Sequence, residues 1–386
     1  MKIKDELAIL ASDCLVLDAG LGAPKFPLPP QKARDRYKRE IDVAHGYGDR
    51  RGSQETRKAV AKWYGDIYGA EVDPESEVRI TDGSREICFY VLNHLFRLNG
   101  RNKTVALACP FYGGHNTAIS KAGGKAKFLR SDSGHSFFDS LETALAEGLR
   151  PSVVIVSYVS NPTGLKCTLS DLTRLAILAE KYDFYIISDA AYSELVYEGQ
   201  QCPSVYQVPA LRSRILYESR TPSKMFNAAQ WRTGICVGNA ELLQGMLEEK
   251  SDLNEGVNTP AQLALATALT ECREYLPDLR HTYQTRAEYA VNFLRGIGWT
   301  NATMPDGGMF LWLPVPENIA QQGVGSEEFC KRLAASGVIM WPDTIFGGKG
   351  THMRFCLREE NSVVAKAICS IEDCIAALSS AEALSA

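Results

Sequence analysis

Val153-Val-Ile-Val-Ser-Tyr158, Leu169-Ser-Asp-Leu-Thr-Arg-Leu-Ala-Ile-Leu-Ala-Glu-Lys-Tyr182 and Phe184-Tyr-Ile-Ile-Ser188 follow one another in a single short stretch of the chain. The two outer runs are apolar without alternation, the pattern of strands covered on both faces. The middle run sets Leu172, Leu175, Ala176 and Ala179 on one stripe at helical spacing. Strand, helix and strand in this order make a parallel pair joined by a crossover. The same alternation extends outward in both directions. Val78–Thr81, Thr104–Ala108 and Ala126–Arg130 read as strands before it, and Ile215–Glu218 and Ile235–Gly238 after it. Glu86–Leu98 and Phe138–Glu147 read as helices. The expected fold class is therefore α/β, with a mostly parallel seven-stranded sheet and helices on both faces.

Beyond residue 258 the pattern changes. Ala261–Leu269 and Tyr283–Leu294 read as helices, Gly307–Leu313 as a strand pair with a Gly turn, and Glu327–Ser336 as a helix. Two strands around Met340 and Arg354 and a last helix, Ser362–Leu378, complete a small α+β domain. The expected division is a large domain over 46–285, a small C-terminal domain over 286–386, and an N-terminal segment, 1–45, packing with the small one. The first forty residues, with Pro24, Pro27, Pro29 and Pro30, read as mostly extended. A length of 386 residues suits such a two-part chain.

Hydrophobic residues make up 45% and charged residues 23%, enough apolar material for a large core. The net charge of -4, with no basic block, points away from nucleic acid and anionic membranes as partners. The apolar run Val153–Val159 is strand-sized and too short to cross a bilayer. The start, MKIKDELAILASD, lacks the unbroken apolar core of a signal peptide. Eleven cysteines, an odd number with no C-x-x-C pair, suit a reducing compartment and argue against a disulfide framework or a metal site. A cytoplasmic protein is expected.

The chemistry gathers at strand ends. Thr221-Pro-Ser-Lys224 follows a predicted strand and is trailed by Trp231-Arg232-Thr-Gly234. A lone lysine is ordinarily a surface side chain. Here the strand would deliver Lys224 to the carboxyl edge of the sheet, where open α/β sheets bind ligands. Thr221 and Ser223 offer hydroxyls to a phosphate, and Arg232 offers it a fork of donors.

Ser223-Lys-Met-Phe-Asn-Ala-Ala-Gln-Trp-Arg-Thr-Gly234 resembles the lysine segment of the class I/II aminotransferases, the fold-type I pyridoxal-5′-phosphate enzymes. Ile187-Ser-Asp189-Ala-Ala-Tyr192 resembles their aspartate segment, and Asn161-Pro-Thr-Gly164 their Asn-Pro-x-Gly turn. The matches run in the family's order from Gly20-Leu-Gly22-Ala-Pro to Met353-Arg354-Phe, and several in order and spacing weigh far more than one. The resemblance implies pyridoxal phosphate held by Lys224 as a Schiff base, with Asp189 against the pyridine nitrogen. Tyr192 and Asn161 would bond the cofactor's phenolic oxygen. Lys224, Asp189 and Tyr192 are thus the candidate catalytic residues.

Gly83-Ser84-Arg85 closes a strand and opens a helix, where free N–H groups and the helix dipole hold phosphate. Tyr112, in Pro110-Phe-Tyr-Gly-Gly114, fits the aromatic that stacks on the pyridine, with Phe111 as its rival. Gly22, Asn161 and Arg354 would hold the α-carboxylate of an amino acid or a 2-oxo acid, for which a planar guanidinium suits better than an ammonium. Tyr47, in His45-Gly-Tyr-Gly-Asp-Arg-Arg-Gly52, resembles the tyrosine that reaches the phosphate of a second subunit, so a homodimer with shared sites is implied. Asp49, Arg50 and Arg51 are candidates for reading a charged substrate side chain, against the plainer role of a solvated charge run.

The implied reaction is transamination, with Lys224 as the base that takes the proton from the substrate's α-carbon. A lyase or cyclase on the same scaffold is the first rival, because Ala190-Ala191, Gln230 and Lys25 depart from the commoner family pattern without removing a cofactor contact. A non-enzymatic binding module is the second, and a binder has no use for Lys224.

Overall fold

The computed structural model describes residues 2–44, 46–99, 102–131, 135–200 and 202–383, so His45, in the stretch that carries Tyr47, lies outside the described residues. Seven strands form one sheet: β1 (Val78–Thr81), β2 (Thr104–Cys109), β3 (Lys125–Arg130), β4 (Val153–Ser157), β5 (Tyr185–Asp189), β6 (Ile215–Arg220) and β7 (Gly234–Gly238). Their spatial order is β1-β7-β6-β5-β4-β2-β3. The pairings from β3 through β6 are parallel, and β7 runs antiparallel to both neighbours. β6 and β7 are buried along their whole length, which is why their sequences show no apolar alternation. The edge strand β3 exposes Lys125 and Arg130, charges that discourage pairing with another edge.

The helix between β4 and β5 runs Leu169–Tyr182. Thr168 caps it through a capping box with Asp171, and Asp183 ends it in the left-handed region. Its stripe of Leu172, Leu175, Ala176 and Ala179 is buried, each leucine stabilising the fold by about 1.5–3 kcal/mol.

A second, antiparallel sheet is built from β8 (Phe310–Pro314), β9 (Trp341–Pro342) and β10 (His352–Cys356) in the order β9-β10-β8. Its register sets Arg354 directly between Trp341 and Trp312. The long helix leading to it spans Tyr275–Gly296, well before its expected start. Pro277 masks that beginning in the sequence, yet in a first turn its missing N–H leaves no bond unmade.

The first forty residues are not mostly extended. They hold the helices Ile3–Leu10 and Gln31–Ile41, and Leu17–Asp18 pairs in parallel with Val338–Ile339. Pro30 stands at the N-cap of the second helix, so the proline-rich run delimits a helix instead of excluding one. The first helix packs on Ser326–Ala335 and the second on Thr259–Glu271.

On β6 the side chains divide by face, as pleating requires. Tyr217 and Ser219 border the cavity described below. Glu218 and Arg220 point the other way into a buried polar network. Glu218 accepts from Tyr64 Oη (2.9 Å), Ser204 Oγ (2.7 Å), Ser188 Oγ (3.1 Å) and Arg220 (3.0 Å), and Arg220 also reaches Glu194 at 2.8 Å.

Candidate active site

The carboxyl ends of β1, β2, β4, β5 and β6 open into one cavity of about 660 Å³. Of the residues the sequence offers for the cofactor and the α-carboxylate, Gly22, Gly83, Ser84, Arg85, Tyr112, Asn161, Asp189, Tyr192, Thr221, Lys224, Arg232 and Arg354 border it, and Tyr47 does not.

Lys224 lies in the short helix Pro222–Met225, which Thr221 caps by accepting from the Ser223 N–H at 3.1 Å. Its Nζ donates to the Gly22 carbonyl at 2.7 Å and sits 5.3 Å from the centre of the Tyr192 ring. Burial pulls the ammonium down to about 8, and the nearby cations Arg354, Arg232 and Arg358 add repulsion. Gly22 thus offers its carbonyl here, and a Cβ on it would stand 3.1 Å from Arg354 Nη2.

Asp189 ends β5. One carboxylate oxygen accepts from the Ala191 N–H at 3.2 Å, and the other is 2.8 Å from Nε2 of buried His115. His115 was not singled out from the sequence. Its only signal was the spacing of three from Tyr112 across the first turn of the helix Gly113–Lys121. Tyr112 borders the cavity with its ring edge-on to His115. Phe111 is stacked on Phe128 at 4.5 Å, away from the cavity, which removes it as the rival. Burial pushes both the Tyr112 and Tyr192 hydroxyls up, so each is a neutral phenol able to donate.

One corner of the cavity is lined with hydrogen-bond donors. Gly83 has φ of +115° and leads into the helix beginning at Ser84. A Cβ on Gly83 would come within 2.6 Å of Arg232 Nη2, so only glycine lets backbone and guanidinium approach this closely. Arg232 is anchored by the carbonyls of Ala229 (2.9 Å) and Asp82 (3.1 Å). Thr221, Ser223 and Ser84 bring hydroxyls to the same corner. Donors of this number, around a close-packed glycine at a helix start, fit a phosphate.

Arg354 is buried at the opposite side. It donates to Asn161 Oδ1 at 2.7 Å and to the Gly20 carbonyl at 2.6 Å, while its buried Nε has no partner among the described residues. Phe310, Trp341 and Phe346 surround the guanidinium at 4.2 to 4.8 Å. An aromatic cage holding a cation with an unspent donor fits a carboxylate. Lys2, Lys4 and Arg85 also border the cavity.

Tyr47 stands apart, 88% exposed. Neighbouring charges are engaged elsewhere: Arg50 pairs with Glu255 at 2.6 Å, and Arg51 with Asp49 and Glu75. Within this chain none of the three borders the cavity. Lys25, one of the departures from the family pattern, pairs with Glu359 at 2.9 Å.

The sequence profile of the family described as aminotransferase class I and II matches residues 16–368. The glutamate-pyruvate aminotransferase AlaC of Escherichia coli is 34% identical over 362 residues, covering 92% of this chain and 86% of that protein. An LL-diaminopimelate aminotransferase of Moorella thermoacetica is 29% identical over 339 residues, 87% of this chain and 84% of its own. The N-succinyldiaminopimelate aminotransferase structure from Mycobacterium tuberculosis superposes with a TM-score of 0.87 at 24% identity, covering 97% of each chain, and supports the fold. With a lysine, an aspartate, a phosphate corner and a caged arginine around one cavity, this chain belongs to the class I/II aminotransferases and is a pyridoxal-phosphate-dependent enzyme that acts on an amino acid.

Proposed function

We propose that Lys224 anchors pyridoxal 5′-phosphate and carries the proton in amino transfer from an amino acid to a 2-oxo acid. The observation that carries this reading is the buried Lys224 amine, brought down to about 8 and standing in one cavity with Asp189 and Arg354. The cofactor, when bound, supplies a sink for the electron pair left at the substrate's α-carbon. Asp189, oriented by His115, keeps a proton on the pyridine nitrogen. Gly83, Ser84, Arg85, Thr221 and Arg232 hold the phosphate, and Tyr112 covers the ring. Asn161 and Tyr192 bond the phenolic oxygen, and Tyr192 also lies beside the Lys224 nitrogen. Arg354 and Gly22 grip the α-carboxylate, and Lys224 takes the α-proton and later returns it.

Tyr47, exposed on its own chain as are Val43 and Ile41, would complete the phosphate corner of a second copy, which makes the working unit a homodimer. Eleven free thiols suit a cytoplasmic, reducing setting, and among the described residues no helix is long and apolar enough to cross a membrane. The substrates named for the relatives (glutamate, pyruvate and LL-diaminopimelate) mark the amino acids and acceptors to try first.

The test is a half-reaction. Purified enzyme loaded with cofactor is mixed with one amino acid and no 2-oxo acid. One 2-oxo acid per site and an aminated cofactor are expected by mass spectrometry. Ammonia or a cyclic product in its place would overturn the proposal.

A further inference from the structure

We infer that Lys250, on the helix Ala240–Ser251, is a positioning residue for the phosphate corner. It draws the carboxylates of Asp82 and Glu86 to itself and so keeps Gly83, Ser84 and Arg85 open to a phosphate. This rests on the pyridoxal-phosphate reading above and names what holds that corner in shape.

Asp82 and Glu86 bracket the corner in sequence. Gly83, Ser84 and Arg85 between them border the cavity, and neither acidic residue does. Two negative charges this close to a phosphate oppose it, and as acceptors they compete with it for the same donors. Lys250 removes both effects. Its ammonium donates to Asp82 Oδ2 at 2.5 Å and to Glu86 Oε1. Among the described residues, the ion pairs of Asp82 and of Glu86 are all with Lys250.

The tie is built into the fold. The helix Ala240–Ser251 packs on Ser84–Asn99, and Lys250 is 3% exposed, a buried cation that needs its partners. Burial pulls its ammonium down, but the hydrogen bonds and charges of Asp82 and Glu86 outweigh this and hold it above the ordinary lysine value. Further bonds knit the same turn. Asp82 Oδ2 also accepts from Asn254 Nδ2 at 2.7 Å, and the Asn254 N–H donates to the Lys250 carbonyl at 2.9 Å. The Asp82 N–H donates to Glu86 Oε1 at 3.0 Å, closing the turn in which Gly83 takes its positive φ. The Asp82 carbonyl accepts from Arg232 Nη2 at 3.1 Å, so holding Asp82 also holds the guanidinium that serves the phosphate. Lys250 itself does not border the cavity and acts through its two carboxylates.

The test measures binding of pyridoxal phosphate, and of pyridoxal, which lacks the phosphate, to the cofactor-free full chain. Affinities are read by absorbance titration in wild type, Lys250→Met, Lys250→Gln and Lys250→Arg, with circular dichroism as the check of fold. Lys250→Met should weaken pyridoxal phosphate by about ten- to a hundredfold, the scale on which an unshielded charge acts at this range inside a protein. Pyridoxal should change by less than about threefold, since it has no charge for the two carboxylates to repel at that corner. Lys250→Gln keeps a donor for one carboxylate and should show the same phosphate-selective loss to a smaller degree, which keeps the test decisive if Lys250→Met does not fold. Lys250→Arg should restore most of the affinity. Equal losses for both ligands would make Lys250 a purely structural residue and overturn the inference, as would wild-type affinity for pyridoxal phosphate in folded Lys250→Met or Lys250→Gln. A wild-type protein that captures neither ligand on Lys224 would overturn the pyridoxal-phosphate reading as well.

Discussion

Lys224 illustrates how position alone can prepare a side chain for chemistry. An ordinary lysine leaves roughly one amine in several thousand unprotonated at pH 7, whereas a value near 8 leaves about one in ten. The neutral amine is the nucleophile, so a lowered value extends its reactivity toward lower pH. Capture of pyridoxal phosphate by the cofactor-free protein should therefore speed up about tenfold per pH unit below 8 and level off above it, followed by absorbance. A rate still climbing at pH 10 would mark an unperturbed lysine. Asp189→Asn should leave the fold intact and remove most activity, since a neutral amide no longer holds the ring nitrogen protonated; near-normal turnover would remove Asp189 from this role. Lys224, Asp189 and Arg354 were legible in the sequence because each sits at a fixed offset from a strand end within a recognisable run. His115 was not, because one histidine at a spacing of three has no meaning until Asp189 is seen 2.8 Å away. Lys250 was invisible for a stronger reason: its place depends on how the helix Ala240–Ser251 packs against Ser84–Asn99.

At the scale of elements, β6 carries two duties on its two faces. Its cavity face serves the ligand, and its other face presents Glu218 and Arg220 to a sealed network with Glu194, Tyr64 and Tyr68. Arg220→Ala would leave the buried Glu218 carboxylate without its cation, while Glu194 keeps Arg280 at 3.3 Å, a loss of about 3–5 kcal/mol. Urea unfolding should show it as a lower midpoint, and an unchanged midpoint would mean the carboxylates find other partners. The seven strands were readable because continuous apolar runs of strand length have few alternatives once helices alternate with them. Element ends were less so. Pro277 hid the first turns of Tyr275–Gly296, and the prolines up to Pro30 disguised Gln31–Ile41. In each case a residue excluded from helix interiors stood where the missing N–H is harmless.

At the scale of the whole molecule, the arrangement of Tyr47 makes the proposed dimer testable by mixing. Lys224→Ala and Tyr47→Phe, each impaired alone, should partly recover activity when co-expressed, because one of the two mixed sites then holds both native residues. An active monomer by sedimentation, or no recovery from two strongly impaired parents, would refute a shared site. The hydrogen bond from Arg354 to the Gly20 carbonyl has a further consequence. It joins residues 334 positions apart, and Leu17–Asp18 closes a similar span against Val338–Ile339. Contacts so distant in sequence form only after nearly the entire polypeptide is available. A nascent chain still on the ribosome can lay down β1 to β7 and bury their core, yet it cannot own a carboxylate grip until translation has passed β10. Recognition of substrate is thus acquired at the end of synthesis, and no fragment released earlier would compete with the finished enzyme for its amino acid.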